Sequence, residues 1–128
     1  MFIGATLVTT ISISCTVSSP NKQGENLYKQ HCSTCHGDEG EGLRKLYPPI
    51  ANADYLKLHR NELSCLIKNG MTHPIVVNGQ AFHAPMPANP QLNDVEIHNI
   101  LNFICNSWGN KLGYFTPKEV EAQLKKCQ

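Results

Sequence analysis

Apolar side chains recur at helical spacing through most of the chain. Gly24, Leu27, Tyr28 and His31 fall at i, i+3, i+4 and i+7, one face of a helix that Asn21 can cap and that runs to about Gln30. The glycine leaves that face flat, so that another helix could cross it closely. Short helices are predicted from Asp54 to His59 and from Asn61 to Lys68, the second capped by Asn61 and stopped at Asn69-Gly70. The strongest helical signal runs from about Asp94 to Ser107. Asn93 and Glu96 form a capping box at its start, and Ile97, Ile100, Leu101, Ile104 and Trp108 line one face. Thr116 and Glu119 form a second capping box with Pro117 at the favoured first position, and the helix that follows puts Val120, Leu124 and Cys127 on a common side.

Between these helices the polar and apolar pattern changes. Residues 37–42 are a polar, glycine-rich loop, and Tyr47-Pro48-Pro49 cannot be helical because each proline restrains the residue before it. Ile75 to Val77, then Asn78-Gly79, then Gln80 to Phe82 read as a small β-hairpin. Ala84-Pro85-Met86-Pro87 must be extended and rather stiff. No internal repeat or low-complexity tract is visible.

The chain has 128 residues, enough for one domain with a modest core. Hydrophobic residues make up 41% and charged residues 16%, a globular composition, and the net charge of +1 with no run of either sign gives no argument for nucleic acid. Residues 2–17 are uncharged and rich in Ile, Val, Leu, Thr and Ser, too short and too polar in their second half to span a bilayer. They resemble the apolar core of an export signal, and Ser12-Ile13-Ser14-Cys15 resembles a lipobox, in which Cys15 would take a lipid and anchor the domain to a membrane. The alternative is a plain secretory signal in which Cys15 has no role. Residues 1–20 are accordingly set apart as signal and tether, and residues 21–128 as the folded domain.

The chemistry lies in Cys32-Ser33-Thr34-Cys35-His36. This is C-x-x-C-H, the haem c attachment pattern: two thiols add to the two vinyl groups on one porphyrin edge, and the next residue turns its imidazole under the iron. Half of a zinc site would want a second ligand pair at short spacing, and none follows. A thioredoxin-type redox pair would want a βαβ pattern, which the chain does not show. The iron needs a sixth ligand. Met86, between two prolines and 50 residues after His36, is the leading candidate, because His/Met ligation raises the reduction potential and suits an electron carrier. His83, three residues before it, would give a bis-His iron, and Met71, after the helix-ending Gly70, would be expected to pack in the core. His31, His59, His73 and His98 read as surface or packing residues, His31 facing outward or packing locally.

Residues 24–110 resemble a class I monohaem cytochrome c, notably the small domains attached to periplasmic dehydrogenases and terminal oxidases. Cys32 to His36, Tyr47-Pro48-Pro49-Ile50, Met86-Pro87, and Leu92-Asn93-Asp94 through Ile97 to Trp108-Gly109-Asn110 carry the likeness. It implies an all-α fold in which the N- and C-terminal helices cross over one covalently bound haem. To this the chain adds the small hairpin and an extra C-terminal helix. It implies that Gly24 and Leu27 meet the last main helix near Phe103 and Ile104, and that Pro48 or Pro49 offers a carbonyl to the second nitrogen of His36. Of the three remaining cysteines, Cys65 and Cys127 both sit on apolar faces and are the expected disulfide, with Cys105 able to replace either and three unbonded thiols the alternative.

The function expected is electron transfer rather than catalysis. Partners would be a dehydrogenase, a quinol-oxidising complex or a terminal oxidase, met in the periplasm or on the outer face of the cytoplasmic membrane. The competing readings are a five-coordinate haem that binds a small ligand, and a structural metal module.

Overall fold

A computed structural model gives the fold and describes residues 20–127; the proposed signal and tether, with Cys15, lie outside the described residues except at Pro20. Helix α1 spans Pro20–His31, α2 Ser33–His36, α3 Asp54–Leu58, α4 Leu63–Asn69, α5 Asp94–Ile104 and α6 Pro117–Lys126. Strands β1 (Ile75–Val77) and β2 (Gln80–Phe82) pair antiparallel, with Ile75 opposite Phe82 and Val77 opposite Gln80. The fold is therefore all-α with one hairpin, as the helical periodicity predicts.

Helices α1 and α5 make the main helix–helix contact, and Gly24 is the reason they approach so closely. A methyl group built on Gly24 would overlap the carbonyl oxygen of Asn99 and lie 2.7 Å from the Phe103 Cβ. Tyr28, one turn further along α1, is fully buried; its ring packs 4.9 Å from Trp108 and 5.6 Å from Phe103, and its hydroxyl donates to the Gly37 carbonyl at 2.6 Å. The crossing of Gly24 thus sits at Phe103, as the resemblance implies, and at Asn99 one turn before it.

Both capping boxes form. Asn93 accepts from the Glu96 amide and Thr116 from the Glu119 amide, and each glutamate returns a bond to the cap's own N–H. Asn78 and Gly79 take positive φ, as a tight hairpin turn of this hand requires. Asn78 also exchanges two hydrogen bonds with Asp54, at 3.0 and 2.8 Å, which tie the turn to the start of α3.

Three boundaries differ from expectation. Asn21 lies inside α1 rather than at its cap, because Pro20 occupies a helical position that needs no amide partner. Asn61 does not cap α4: a 3-10 turn, Arg60–Glu62, comes first, and the side chain of Glu62, the residue before α4, bonds His59 instead of the helix. Finally, α5 ends at Ile104 rather than near Ser107. Trp108 takes φ 51°, so the chain reverses, and Asn110 donates to the carbonyls of Ile104 at 2.8 Å and Ile50 at 3.0 Å. The Ile104–Trp108 spacing mimics a further helical turn, but the tryptophan reaches the same apolar cluster from a loop.

The C-terminal helix α6 docks on α4 and α5 through Val120 and Leu124, both buried. Polar pins reinforce it. Gln123, itself buried, accepts from the Ser64 amide and donates to the Arg60 carbonyl, each at 3.1 Å. Asn102 accepts from the Phe115 amide at 2.7 Å, and the Arg60 guanidinium lies 3.9 Å over the Phe115 ring. Cys65 on α4 and Cys127 at the end of α6 meet with Cα atoms 5.8 Å apart, while Cys105 is a fully buried free thiol that burial pushes up to about 11.

Because the partner at Gly24 is helix backbone that cannot swing aside, Gly24→Ala is expected to lower unfolding stability by about 2–3 kcal/mol, the upper part of the overpacking range. Denaturant titration of wild type and variant measures the difference.

Candidate haem site

The attachment motif forms as one turn of helix bent off the end of α1. Cys32 breaks the α1 geometry with φ −123° while its amide still bonds the Tyr28 carbonyl at 2.8 Å. The amides of Cys35 and His36 then both bond the Cys32 carbonyl, at 3.2 and 3.0 Å. Cys32 and Cys35 are therefore three apart on one face of a turn, with His36 immediately after. All three side chains line a single large cavity.

That cavity holds ≈ 1170 Å³ free of protein atoms, counted out through its mouth. Its walls come from nearly every element: Leu56 from α3, Leu63 and Ile67 from α4, Val77 and Phe82 from the hairpin, Ile100 and Ile104 from α5. Among the described residues that line it there is no Lys, Arg, Asp or Glu. Such a room is built for a large, flat, mainly apolar group.

His36 is oriented by the proline segment. Its Nδ1 lies 2.9 Å from the carbonyl oxygen of Pro48, while Pro49 lines the cavity beside it. A carbonyl only accepts, so Nδ1 carries the proton and Nε2 keeps its lone pair. Burial holds the imidazole pKa below its ordinary value, against the upward pull of the Pro48 carbonyl, which favours the neutral ring. A neutral imidazole with a free Nε2 and a fixed ring is what a metal ligand requires.

The Cys32 thiol has a different character from that of a thiol–disulfide catalyst. Burial, with Cys35 beside it as the lesser cause, pushes Cys32 up to about 12, whereas catalytic thiols are depressed. Among the described residues no group of three or more His, Cys, Asp or Glu side chains is arranged to hold a bare metal ion. Two thiols three residues apart on one helical turn, a neutral imidazole and apolar walls fit a covalently attached haem.

On the rest of the wall stand the candidate sixth ligands. Met86 and Met71 both line the cavity, and they face each other across an isolated antiparallel bridge, Met71 N–H to Met86 O at 2.9 Å and Met86 N–H to Met71 O at 2.8 Å. Gly70 makes this possible: at φ 71° a methyl there would overlap the Met86 carbonyl oxygen and lie 2.7 Å from the Ala88 amide nitrogen. His83 is exposed and does not line the cavity. Two residues expected to lie elsewhere do. His31, expected to face outward or pack locally, is half-buried in the wall next to Cys32, and the exposed His73 borders it too. Tyr55, not singled out by the sequence, also lines the cavity and donates its hydroxyl to the Met71 sulfur at 3.8 Å. An aromatic in a short helix gives no sign of such a role until the fold brings it to the methionine.

The comparisons agree with this site. Residues 22–108 match the sequence profile of the family described as Cytochrome c. The chain is 33% identical over 111 residues to cytochrome c-552 of Thermus thermophilus, covering 82% of this chain and 83% of that protein. It is also 31% identical over 90 residues to the cytochrome c subunit of the quinone alcohol dehydrogenase of Gluconacetobacter polyoxogenes, and 32% over 110 residues to the cytochrome c subunit of gluconate 2-dehydrogenase of Pantoea cypripedii. It covers only 19% and 24% of those two longer subunits, against 69% and 83% of this chain. The chain belongs to the cytochrome c family. It binds haem c covalently and serves haem-based electron transfer.

The bound haem supplies a one-electron iron couple. The polypeptide supplies the tether, the oriented imidazole and the apolar enclosure. Protein matured in a host that attaches haem is expected to show a haem-staining band on a denaturing gel. Cys32→Ala/Cys35→Ala should lose that stain, while Cys105→Ala, altered at a thiol outside the cavity, should keep it.

Proposed function

We propose that this protein is a His36/Met86-ligated electron carrier that works outside the cytoplasm. The observation that carries the reading is the placement of Met86. Its thioether lines the same cavity as the His36 imidazole, on a segment stiffened by Pro85 and Pro87 and paired to Met71. With both axial positions taken by protein, no position is left for a substrate. The work of the chain is then to set the potential and to bring the haem edge near a partner.

The partners in this reading are redox proteins: a dehydrogenase, a quinol-oxidising complex or a terminal oxidase. The relatives named as dehydrogenase cytochrome c subunits support the first of these. Export signal character in residues 1–20, and a lipid on Cys15, would place the domain in the periplasm or at the outer face of the cytoplasmic membrane. A Cys65–Cys127 disulfide belongs to the same reading, since it suits an oxidising compartment and fastens α6 to the body.

Met86→Ala is expected to keep covalent haem, to bind CO in the reduced state, and to lose the weak charge-transfer band at the red edge of the visible that marks thioether ligation. A variant that stays low-spin and refuses CO would show that another residue is the ligand. Cys127→Ser should lower stability under oxidising conditions by about 4 kcal/mol, the loop-closure value for a crosslink spanning 62 residues. Denaturant unfolding with and without reductant reads that difference, which vanishes when both proteins are reduced.

A further inference from the structure

Residues 69–93 contain no Lys, Arg, Asp or Glu; the chain's 11 basic and 10 acidic side chains all lie elsewhere. Within that stretch the Met71–Met86 bridge and the Ile75–Phe82 pair are separated by equal lengths of chain, 72–74 and 83–85, so one antiparallel register runs from the methionines to the turn. Side chains along such a ribbon alternate between two faces. Met71, Ile75, Phe82, Ala84 and Met86 line the cavity, whereas Thr72, Pro74, Val76, Ala81 and His83 are exposed and do not. Of the described residues that line the cavity, only His73, Pro85 and Pro87 are exposed. The haem wall is therefore most open to solvent where this uncharged segment forms it.

We propose that the outer face of residues 71–90 is where the redox partner docks, and that the partner meets it with an uncharged, apolar face around its own cofactor. This rests on the electron-carrier reading above and deepens it by naming the surface and the chemistry that fits it. Electron transfer between proteins falls steeply with distance, so contact is most useful where the wall of the haem site is itself the surface. A charged partner residue pressed against this face would be desolvated without an opposite charge to pair with, whereas an apolar one loses only its water. Pro74, Pro85, Pro87 and Pro90 are exposed, as are Ala81 and Ala88. Such residues have no rotamers to freeze on contact, and proline brings no N–H that needs a partner. A brief encounter of modest area thus costs little ordering. At the two ends of the face, charges are held to the backbone: Lys68 donates to the Pro90 and Leu92 carbonyls, and Asp54 accepts from the Asn78 amide.

The test is voltammetry of the holoprotein on gold coated with one of three monolayers: mixed methyl- and hydroxyl-terminated, carboxylate-terminated or ammonium-terminated. Mildly alkaline buffer, above the ordinary titration of imidazole, takes histidine charge out of the comparison. Wild type should exchange electrons fastest on the neutral coating, at a rate that added salt leaves unchanged. Ala88→Lys and Ala88→Glu each place a charge on the exposed face beside Pro87. Both should slow that exchange about tenfold, within the penalty for burying an unpaired polar group. Tyr114→Lys and Tyr114→Glu, at an exposed position between α5 and α6, should leave the rate unchanged. The visible spectrum of each variant, expected to match wild type, is the folding control.

Faster exchange on the carboxylate or ammonium coating overturns the proposal, because the fitting partner would then be charged. So does a rate in the Ala88 variants equal to wild type, or an equal slowing in the Tyr114 variants, because electrons would then leave by another face. Failure of the underlying reading looks different: it appears in solution, as a wild-type spectrum without the thioether charge-transfer band.

Discussion

The protein is built around a space that its own side chains do not fill. More than half of the buried apolar residues, Tyr28, Leu56, Leu63, Ile67, Val77, Phe82, Ile100 and Ile104 among them, also line the cavity. The hydrophobic core is thus a shell, and the apolar area that stabilises a domain of this size is completed only by contact with the haem. A covalent tether suits such a design. Two thioether bonds keep the cofactor local, so that the shell closes on a group already attached rather than one that must be captured from solution.

From this constraint the placement of the other parts follows. The tether must sit on a rigid element, and it does, on the helical turn continuing α1. The α1–α5 crossing at Gly24 fixes that turn against the rest of the core. The imidazole must be held neutral and correctly turned: burial does the first, and Pro48 does the second with a backbone carbonyl, a group that no side-chain substitution removes. Opposite, the thioethers are presented by an extended segment locked to Gly70 and Met71. Helical stiffness at the attachment turn is matched by a strapped loop at the methionines.

Much of this was legible in the chain. The capping boxes, the Asn78-Gly79 turn and the Pro-Met-Pro segment are local signals, each written within a few residues, and the attachment motif has no other reading of comparable weight. What local pattern did not carry is the set of long-range polar contacts: Asp54 with Asn78, Gln123 with Ser64 and Arg60, Asn110 with Ile50, and Tyr55 with Met71. Single Asn, Gln and Tyr residues have no periodicity, so their partners are fixed only when the fold brings distant segments together. Trp108 shows the opposite error, where a helical spacing continues past the point at which the backbone reverses.

The Met71–Met86 bridge closes the base of an excursion that runs from Thr72 to Pro85 and contains the whole hairpin. Within it Val77 and Phe82 are buried against the cavity and Asn78 is tied to Asp54, while Val76 and Gln80 are exposed. Two neighbours of one fold could therefore differ at the exposed positions, and meet different docking surfaces, on an identical inner face. Variation outside and constancy inside become separate problems within one short hairpin.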